Sequence, residues 1–129
     1  MALAIQLTIQ MKNERGALAT LCTEFAKVAV NITGLHLPEQ AGKARVRIVA
    51  TPVDAARKVL EKLSLPYREE IVLTVHLHDR PGALGKVTRK LAEKGIDILY
   101  AYGTIEPGSE RAVVIMGVSD PQTASLVVK

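Results

Sequence analysis

A short sequence pattern occurs twice in this chain, and the repeat constrains the fold more than any other feature. Gly16–Leu18 returns as Gly82–Leu84, an offset of 82 − 16 = 66 residues, and Asn31-Ile32 returns as Asp97-Ile98, where 97 − 31 is again 66. Two separate matches at one offset indicate an internal duplication. The chain is therefore expected to contain two copies of one unit, over residues 1–69 and 70–129.

The first copy has the pattern of a β-α-β-β-α-β unit. Apolar side chains alternate with polar ones from Leu3 to Met11, which is the period of a strand with one buried face. An apolar stripe at helical spacing follows from Leu18 to Val28. Two further strands are expected around a turn at Pro38–Gly42, then a helix after Thr51-Pro52 and a last strand at "YREEI".

The second copy follows the same order but stops earlier. Its first strand buries alternate residues from Ile71 to Leu77, and its first helix ends at Gly95. Two strands flank a turn at Glu106–Glu110, and Asp120-Pro121 begins a short second helix. The sequence therefore predicts an α+β fold of two ferredoxin-like βαββαβ units packed together, the second lacking its last strand. Because units of this size are marginally stable alone, we expect a homodimer in which another chain covers the shortened unit.

Composition narrows the class of function. Aromatic residues make up 3% of the chain, and the net charge of +4 comes without a dense Lys/Arg block. Nucleic-acid binding normally requires a concentrated basic face or stacking aromatics, so no nucleic-acid partner is expected. Arg45 and Arg47 alternate on a strand and are most simply its polar face. The single cysteine, Cys22, lies in a helical apolar stripe and indicates a packed thiol in a reducing compartment. Since no apolar run approaches membrane-spanning length, we expect a cytoplasmic protein without membrane contact.

The segment "HLHDRPGALGKV", His76–Val87, is the main candidate for chemistry. Pro81-Gly82 has two interpretations, a ligand-binding loop or simply the start of a helix capped by Asp79 or Arg80. A phosphate-binding P-loop is disfavoured because it requires more glycines and a Lys-Ser/Thr pair.

Two other groups of side chains also have a plain structural interpretation. His76 and His78 share a strand face and with His36 are candidate metal ligands, although solvated histidines are the simpler interpretation. Tyr100 and Tyr102 are expected to share a strand face with Ile98, either in a pocket or at an interface. Because the histidines are most simply solvated, the prediction is that no metal is bound.

Two segments of the sequence resemble the motif of a known family. "DRPGALGKVTRKLAEKGIDI", Asp79–Ile98, resembles the first half of an ACT domain, whose motif is Asp/Asn-x-Pro-Gly-x-Leu, a helix and Gly-x-Asn/Asp-Ile. "NERGALATLCTEFAKVAVNI", Asn13–Ile32, matches more loosely, with Arg15 at the position of the proline. The resemblance covers nearly the whole chain, which looks like a free-standing tandem ACT protein.

The resemblance implies a ligand site, because ligand-binding ACT domains hold an amino acid where two units meet. One unit contributes the loop after its first strand, and its neighbour contributes the start of its second strand. The implied loop residues are Asn13, Gly16, Ala17, Leu18, Asp79, Arg80, Pro81, Gly82, Ala83 and Leu84. The implied strand-start residues are Asn31, Ile32, Asp97 and Ile98.

In that arrangement Asp79 would face Asn31, and Asn13 would face Asp97. Amides at the helix start would bind a carboxylate, while an aspartate would hold an ammonium group. The second copy departs from serine-sensing members of the family, in which asparagine stands at the positions of Asp79 and Asp97 and histidine at that of Leu77.

The resulting expectation is a regulatory protein that senses an amino acid and acts through a change of conformation or assembly. No nucleophile, base and orienting group cluster in the sequence, so no enzyme activity and no cofactor are expected. The expected partners are a small molecule, a second copy of the chain, and a metabolic enzyme or regulator. The alternative is a module for oligomerisation or protein interaction that binds no ligand.

Overall fold

A computed structural model describes residues 2–38, 42–105 and 110–128 of the chain. The predicted turns at 38–42 and 106–110 fall mainly outside these ranges. The elements in chain order are β1 (Ala2–Lys12), α1 (Ala17–Lys27), β2 (Asn31–His36), β3 (Lys43–Thr51), α2 (Val53–Lys62), β4 (Tyr67–His78), α3 (Ala83–Glu93), β5 (Ile98–Ile105), β6 (Arg111–Val118) and α4 (Pro121–Val127). The predicted α+β class and the βαββαβ order are confirmed.

The N-terminal unit comprises residues Ile5–Glu70. Its strands hydrogen-bond in the order β2-β3-β1-β4, which is the ferredoxin-like arrangement. The apolar face of β1 packs against both helices, so that Leu7, Ile9, Leu21, Phe25 and Leu60 are all fully or almost fully buried. The alternation of β1 and the helical stripe of α1 therefore meet in one core, as their periods predict.

The C-terminal unit comprises Met1–Ala4 and Ile71–Lys129. Its own strands have the order β4-β6-β5, and the core between them and the helices contains Leu73, Val75, Leu91 and Met116. Among the described residues of this unit no strand follows α4, but the start of β1 belongs to the unit, and β1 is the other neighbour of β4. A second chain is therefore not required beside β4 to replace the missing last strand.

Strand β4 differs from the expectation in its length. The sequence suggests one strand at "YREEI" and another beginning at Ile71, but Tyr67–His78 is a single uninterrupted strand. The last strand of the first repeat and the first strand of the second are thus continuous. No turn residue separates them in the sequence, which agrees with one continuous strand.

Strand β5 contains an irregularity that the sequence does not reveal. The register shifts between Ile98, which pairs with Val118, and Tyr100, which pairs with Gly117. A bulged residue, Leu99, therefore places Ile98 and Tyr100 on opposite faces of the sheet. The expectation that Tyr100 and Tyr102 share a face with Ile98 is wrong for this reason.

Within the described part of the chain, none of the helices has the length and apolarity needed to cross a membrane.

Candidate functional site

The loop between β4 and α3 has a defined backbone conformation. The amide of Arg80 donates to the carbonyl of His78 (2.9 Å), and the amide of Ala83 donates to the carbonyl of Arg80 (3.3 Å). Gly82 then enters the helix with φ of 89°, in the left-handed region that a Cβ disfavours. The Pro-Gly pair thus marks a tight turn that only glycine adopts without strain.

No side chain caps α3, so neither Asp79 nor Arg80 has the capping role considered from the sequence. The first bond within the helix is donated by the amide of Lys86 to the carbonyl of Gly82 (3.0 Å). The helix itself therefore makes no use of the amides of Leu84 and Gly85, which precede this donor. These groups carry the partial positive charge of the helix start and suit an anionic group.

The loop between β1 and α1 repeats this geometry. The amide of Glu14 donates to the carbonyl of Lys12 (3.0 Å), and the amide of Ala17 donates to the carbonyl of Glu14 (3.2 Å). Gly16 has φ of 87°, and α1 also begins without a side-chain cap. The duplicated residues therefore form duplicated loops.

A cavity of about 410 Å³ lies beside the loop of the C-terminal unit. Its wall is mainly apolar, and its polar residues are His78, Asp79, Arg80 and Tyr102. The remaining lining residues are Leu77, Ala83, Leu84, Ala101, Gly103, Ala112 and Val114. An apolar space with a few polar groups at a helix start has the properties of a small-molecule site.

A smaller cavity of about 150 Å³ lies at the equivalent place in the N-terminal unit. It is lined by Met11, Lys12, Asn13, Glu14, Gly16, Ala17, Leu18, Ala19, Leu37 and Ala44. Leu37 and Gly103 are separated by the repeat offset, 103 − 37 = 66. A leucine therefore lines the first cavity where a glycine lines the second.

Gly103 is required for a second reason, the close approach of the neighbouring strand. A Cβ at this position would lie 2.8 Å from the carbonyl oxygen of Val113 and 3.0 Å from Cγ2 of Val114. The same glycine thus permits tight pairing of β5 with β6 and leaves the cavity open.

The structure brings together only part of each predicted residue set. Asp79, Arg80, Ala83 and Leu84 line the C-terminal cavity, and Pro81 and Gly82 shape its loop without lining it. In the N-terminal unit all four predicted loop residues line the cavity, Asn13, Gly16, Ala17 and Leu18.

The predicted strand-start residues lie elsewhere in their own unit. Ile98 pairs with Val118, whereas Ala112 pairs with Leu77 next to the loop. Val118 and Ala112 are six residues apart on β6, 118 − 112 = 6, which corresponds to about 20 Å along a strand. Asp97 is thus at the opposite end of its unit's sheet from the loop, as are Asn31 and Ile32 in theirs.

Asp97 also has a structural role in the backbone at the start of β5. Its amide donates to the Ser119 hydroxyl (2.9 Å), and its carbonyl accepts from the amide of Ser119 (2.9 Å). The Asp97 side chain remains exposed. These two bonds join the starts of β5 and α4 to each other.

Of the β5 and β6 wall of the larger cavity, sequence reasoning offered Tyr102 as a possible pocket residue but missed Ala101, Gly103, Ala112 and Val114. The available signal was the offset of 66 applied to Leu37, since it identifies Gly103 as the replacement of a bulky residue by the smallest one.

The histidines do not form a metal site among the described residues, in which no group of three histidine, cysteine or carboxylate side chains is placed to hold an ion. His36 lies 3.1 Å from Nη1 of Arg47, measured from Nδ1. His78 contributes to the cavity wall instead.

Two pKa shifts occur outside the cavity lining. A hydrogen bond from Thr123 lowers the pKa of Asp120, the residue that caps α4. A hydrogen bond to Glu69 raises the pKa of Arg57 above its ordinary value.

Several solved structures are similar to this chain. Protein BT0572 from Bacteroides thetaiotaomicron has 27% sequence identity and a TM-score of 0.89, over 97% of this chain and 85% of that one. The ligand-free regulatory subunit of aspartate kinase from Thermus thermophilus has 16% identity and a TM-score of 0.66, over 99% and 95%. The corresponding subunit from Thermus flavus has 12% identity and a TM-score of 0.60, also over 99% and 95%.

No curated protein matches the sequence. At their level of identity, the aspartate kinase subunits show that the fold is shared. Residues 71–127, which cover nearly all of the C-terminal unit beyond the start of β1, match the family model of the ACT domain.

Proposed function

We propose that the protein is a regulatory protein that binds an amino acid in the 410 Å³ cavity of its C-terminal unit. The observation that carries the proposal is the position of this cavity. It combines an apolar wall with the uncapped start of α3 and with one acidic and one basic side chain, Asp79 and Arg80.

These groups complement the two ends of a zwitterion. The amides at the start of α3 and the guanidinium of Arg80 suit a carboxylate. The carboxylate of Asp79 suits an ammonium group. Leu77, Ala112 and Val114 provide an apolar surface for a side chain, so amino acids with aliphatic or aromatic side chains should bind best.

The regulatory role has separate support. The cavity lies in the part of the chain that matches the ACT domain, and two similar structures are described as regulatory subunits of aspartate kinase. We infer that ligand binding changes the conformation or assembly of this protein, and thereby acts on a metabolic enzyme or regulator.

Isothermal titration calorimetry with each of the twenty amino acids tests the proposal. A ligand that is found should also be titrated as its 2-oxo acid and as its decarboxylated amine, which separates the ammonium contact from the carboxylate contact. No heat of binding with any amino acid, together with unchanged melting temperatures, would count against the proposal.

Variants locate the site. Asp79→Ala should weaken binding roughly tenfold or more, because it removes a charge-assisted hydrogen bond. Ala101→Trp should abolish binding, since it fills the cavity from β5. Asn13→Ala is the matched control in the N-terminal unit and should bind as the unmodified protein does.

The contribution of a neighbouring unit's strand start stays a prediction. Asn31→Ala and Asp97→Ala should weaken amino-acid binding only if such a residue completes a site. Unchanged affinity in both variants would limit the site to the cavity itself.

A second role as an oligomerisation module is favoured by one edge of the C-terminal unit. Strand β5 is the last strand of the sheet order, and the bulged Leu99 is 66% exposed. We infer that a second copy of the chain covers this edge, because exposed apolar edge strands tend to pair. Leu99→Lys should shift a dimer toward monomer in light scattering, whereas Leu126→Lys on α4 should not. A monomeric unmodified protein would contradict this role.

A further inference from the structure

The face of the N-terminal sheet that points away from α1 and α2 is strongly basic. Leu7 and Ile9 of β1 point into the core with the helices, so the intervening residues occupy the other face. Cross-strand pairing then brings five cationic side chains together there, Lys12, Lys43, Arg45, Arg47 and Arg68. Glu70 is the one carboxylate on this face among the described residues of β1, β3 and the N-terminal unit's part of β4.

A third cavity, of about 190 Å³, is formed at this face. Its lining includes Arg45 from β3, Thr8 and Gln10 from β1, and Arg68 from β4. Gln10 pairs with Arg45, and its amide donates to the carbonyl of Pro66 (2.9 Å). Since β1 lies between β3 and β4 and neighbouring strands are about 4.8 Å apart, the two arginine backbones are at least about 10 Å apart, and their long side chains can reach one small group between them.

A chain of hydrogen bonds orders the buried side of this cavity. The Gln6 amide donates to the Thr8 hydroxyl (3.3 Å), and the Thr8 hydroxyl donates to Oε1 of Glu70 (3.1 Å). Arg68 forms an ion pair with the same carboxylate oxygen (3.6 Å). Glu70 is thus in contact with Arg68, and it is the one carboxylate beside five cationic side chains among the described residues of this face.

We propose that this cavity binds a small oxyanion, a phosphate or carboxylate group, between the guanidinium groups of Arg45 and Arg68. Guanidinium forks match the geometry of such groups and form charge-assisted hydrogen bonds with them. The side-chain amide of Gln10 provides a further donor in the cavity. The cavity admits a group of only a few atoms, and the Tyr67 ring packs against the core, so it offers no platform for stacked bases.

This oxyanion site is distinct from both loop cavities. It lies on the face of β1 and β3 opposite Met11 and Ala44, which line the smaller loop cavity. A substitution that abolishes binding at the oxyanion site can therefore leave binding at a loop cavity intact.

The test is titration of the full chain with inorganic phosphate at constant ionic strength, with chloride as the balancing anion, followed by calorimetry and by thermal unfolding. Phosphate should bind saturably and raise the melting temperature. Arg45→Gln and Arg68→Gln should each weaken binding roughly tenfold or more. Lys43→Gln is the matched control, because it removes a charge from the same face outside the cavity, and it should change affinity less than about threefold.

Parallel titrations with a sugar phosphate and with succinate show whether the site takes a phosphate group or a carboxylate group. The site is supported if one of these ligands binds and if its binding requires both Arg45 and Arg68. Equal phosphate effects in all four proteins would show only general screening and would overturn the proposal. Binding of an oligonucleotide that depends equally on Lys43 and Arg45, without phosphate binding, would overturn it in favour of a nucleic-acid surface.

Far-UV circular dichroism and the melting temperature in chloride alone verify that each variant folds. If a glutamine variant does not fold, Arg45→Lys and Arg68→Lys replace it, and each should still weaken phosphate binding, because lysine keeps the charge but not the fork.

Discussion

The two loop cavities have nearly the same backbone and very different volumes. Gly16 and Gly82 differ by 2° in φ, 89 − 87, and both loops have the same succession of hydrogen bonds. The cavities measure about 150 Å³ and 410 Å³. The duplicated motif therefore specifies where a cavity forms, while side chains outside the motif, such as Leu37 and Gly103, decide its volume.

The cores differ in a comparable way. Phe25 of α1 and Leu91 of α3 occupy equivalent positions, 91 − 25 = 66, and both are almost completely buried. An aromatic ring thus fills the N-terminal core where a smaller leucine suffices in the C-terminal unit.

The largest expected effects test this equivalence of the cores. Phe25→Ala should lower the free energy of unfolding by about 3–5 kcal/mol and Leu91→Ala by about 2–5 kcal/mol, through lost burial and a new cavity. Urea denaturation followed by circular dichroism measures both values. Leu126→Ala is the surface control, expected within about 0.5 kcal/mol of the unmodified protein. A loss under 1 kcal/mol for either core variant would contradict the assignment of that residue.

Gly103→Ala sharpens the comparison of the cavities. The new methyl group would meet the carbonyl oxygen of Val113, so we expect a loss of about 1–3 kcal/mol. Gly85→Ala is its control within α3, where nothing lies within 4 Å of a Cβ, and it should stabilise by about 0.5–1 kcal/mol. Thermal unfolding measures the change in stability of both variants. If both changes have the same sign, contact with the neighbouring strand does not explain the glycine at position 103.

Equal costs at the two loop glycines would support the equivalence of the loops. Gly16→Ala and Gly82→Ala should each destabilise by about 1–2 kcal/mol, because an alanine in the left-handed region is strained although space is available. The relevant measurement is the difference between the two losses in urea denaturation. A difference above about 1 kcal/mol would mean that the loops are not energetically equivalent.

The smallest effect concerns the second helix of each unit. The Asp120 side chain accepts a hydrogen bond from the amide of Thr123 (3.2 Å) at the start of α4, whereas α2 begins at Pro52 without a side-chain cap. Because folding lowers the pKa of Asp120, its stabilisation should be present above the unfolded value of about 3.9 and be lost as the pH falls through the lower folded value.

The difference in melting temperature between the unmodified protein and Asp120→Ala should therefore be largest at pH 6 and become smaller as the pH falls below about 3.9. Asp120→Asn is the control, since asparagine keeps an acceptor that does not titrate. A difference that stays constant down to pH 2.5 would assign the effect to the shape of the side chain instead of its charge.

Much of the fold could be predicted from the sequence, because the signals are local. The alternation of β1, the helical stripe around Leu21 and Phe25 and the glycine at each helix start depend on neighbouring residues. The continuity of β4 and the bulge at Leu99 were not predicted. Hydrogen bonding with neighbouring strands decides both features, and it leaves no periodic trace in the strand itself.

The candidate site was predicted in part for the same reason. The loop residues Asp79 to Leu84 are contiguous and carry a motif, whereas Ala101, Gly103 and Val114 reach the cavity only through the pairing of β5 with β6. Arg45 was interpreted as an ordinary polar residue of a strand. Its proximity to Arg68 requires the order of three strands, which a single strand's sequence does not contain.

The sequence by itself determined the duplication, the order of elements and the positions of the two loops. These follow from an offset of 66 residues, from apolar periodicity and from the glycine before each Ala-Leu pair. Only the tertiary structure decided the volume of each cavity and the convergence of arginines on one sheet face. Both are properties of the space between side chains that are distant in sequence, and packing, not local conformational preference, sets that space.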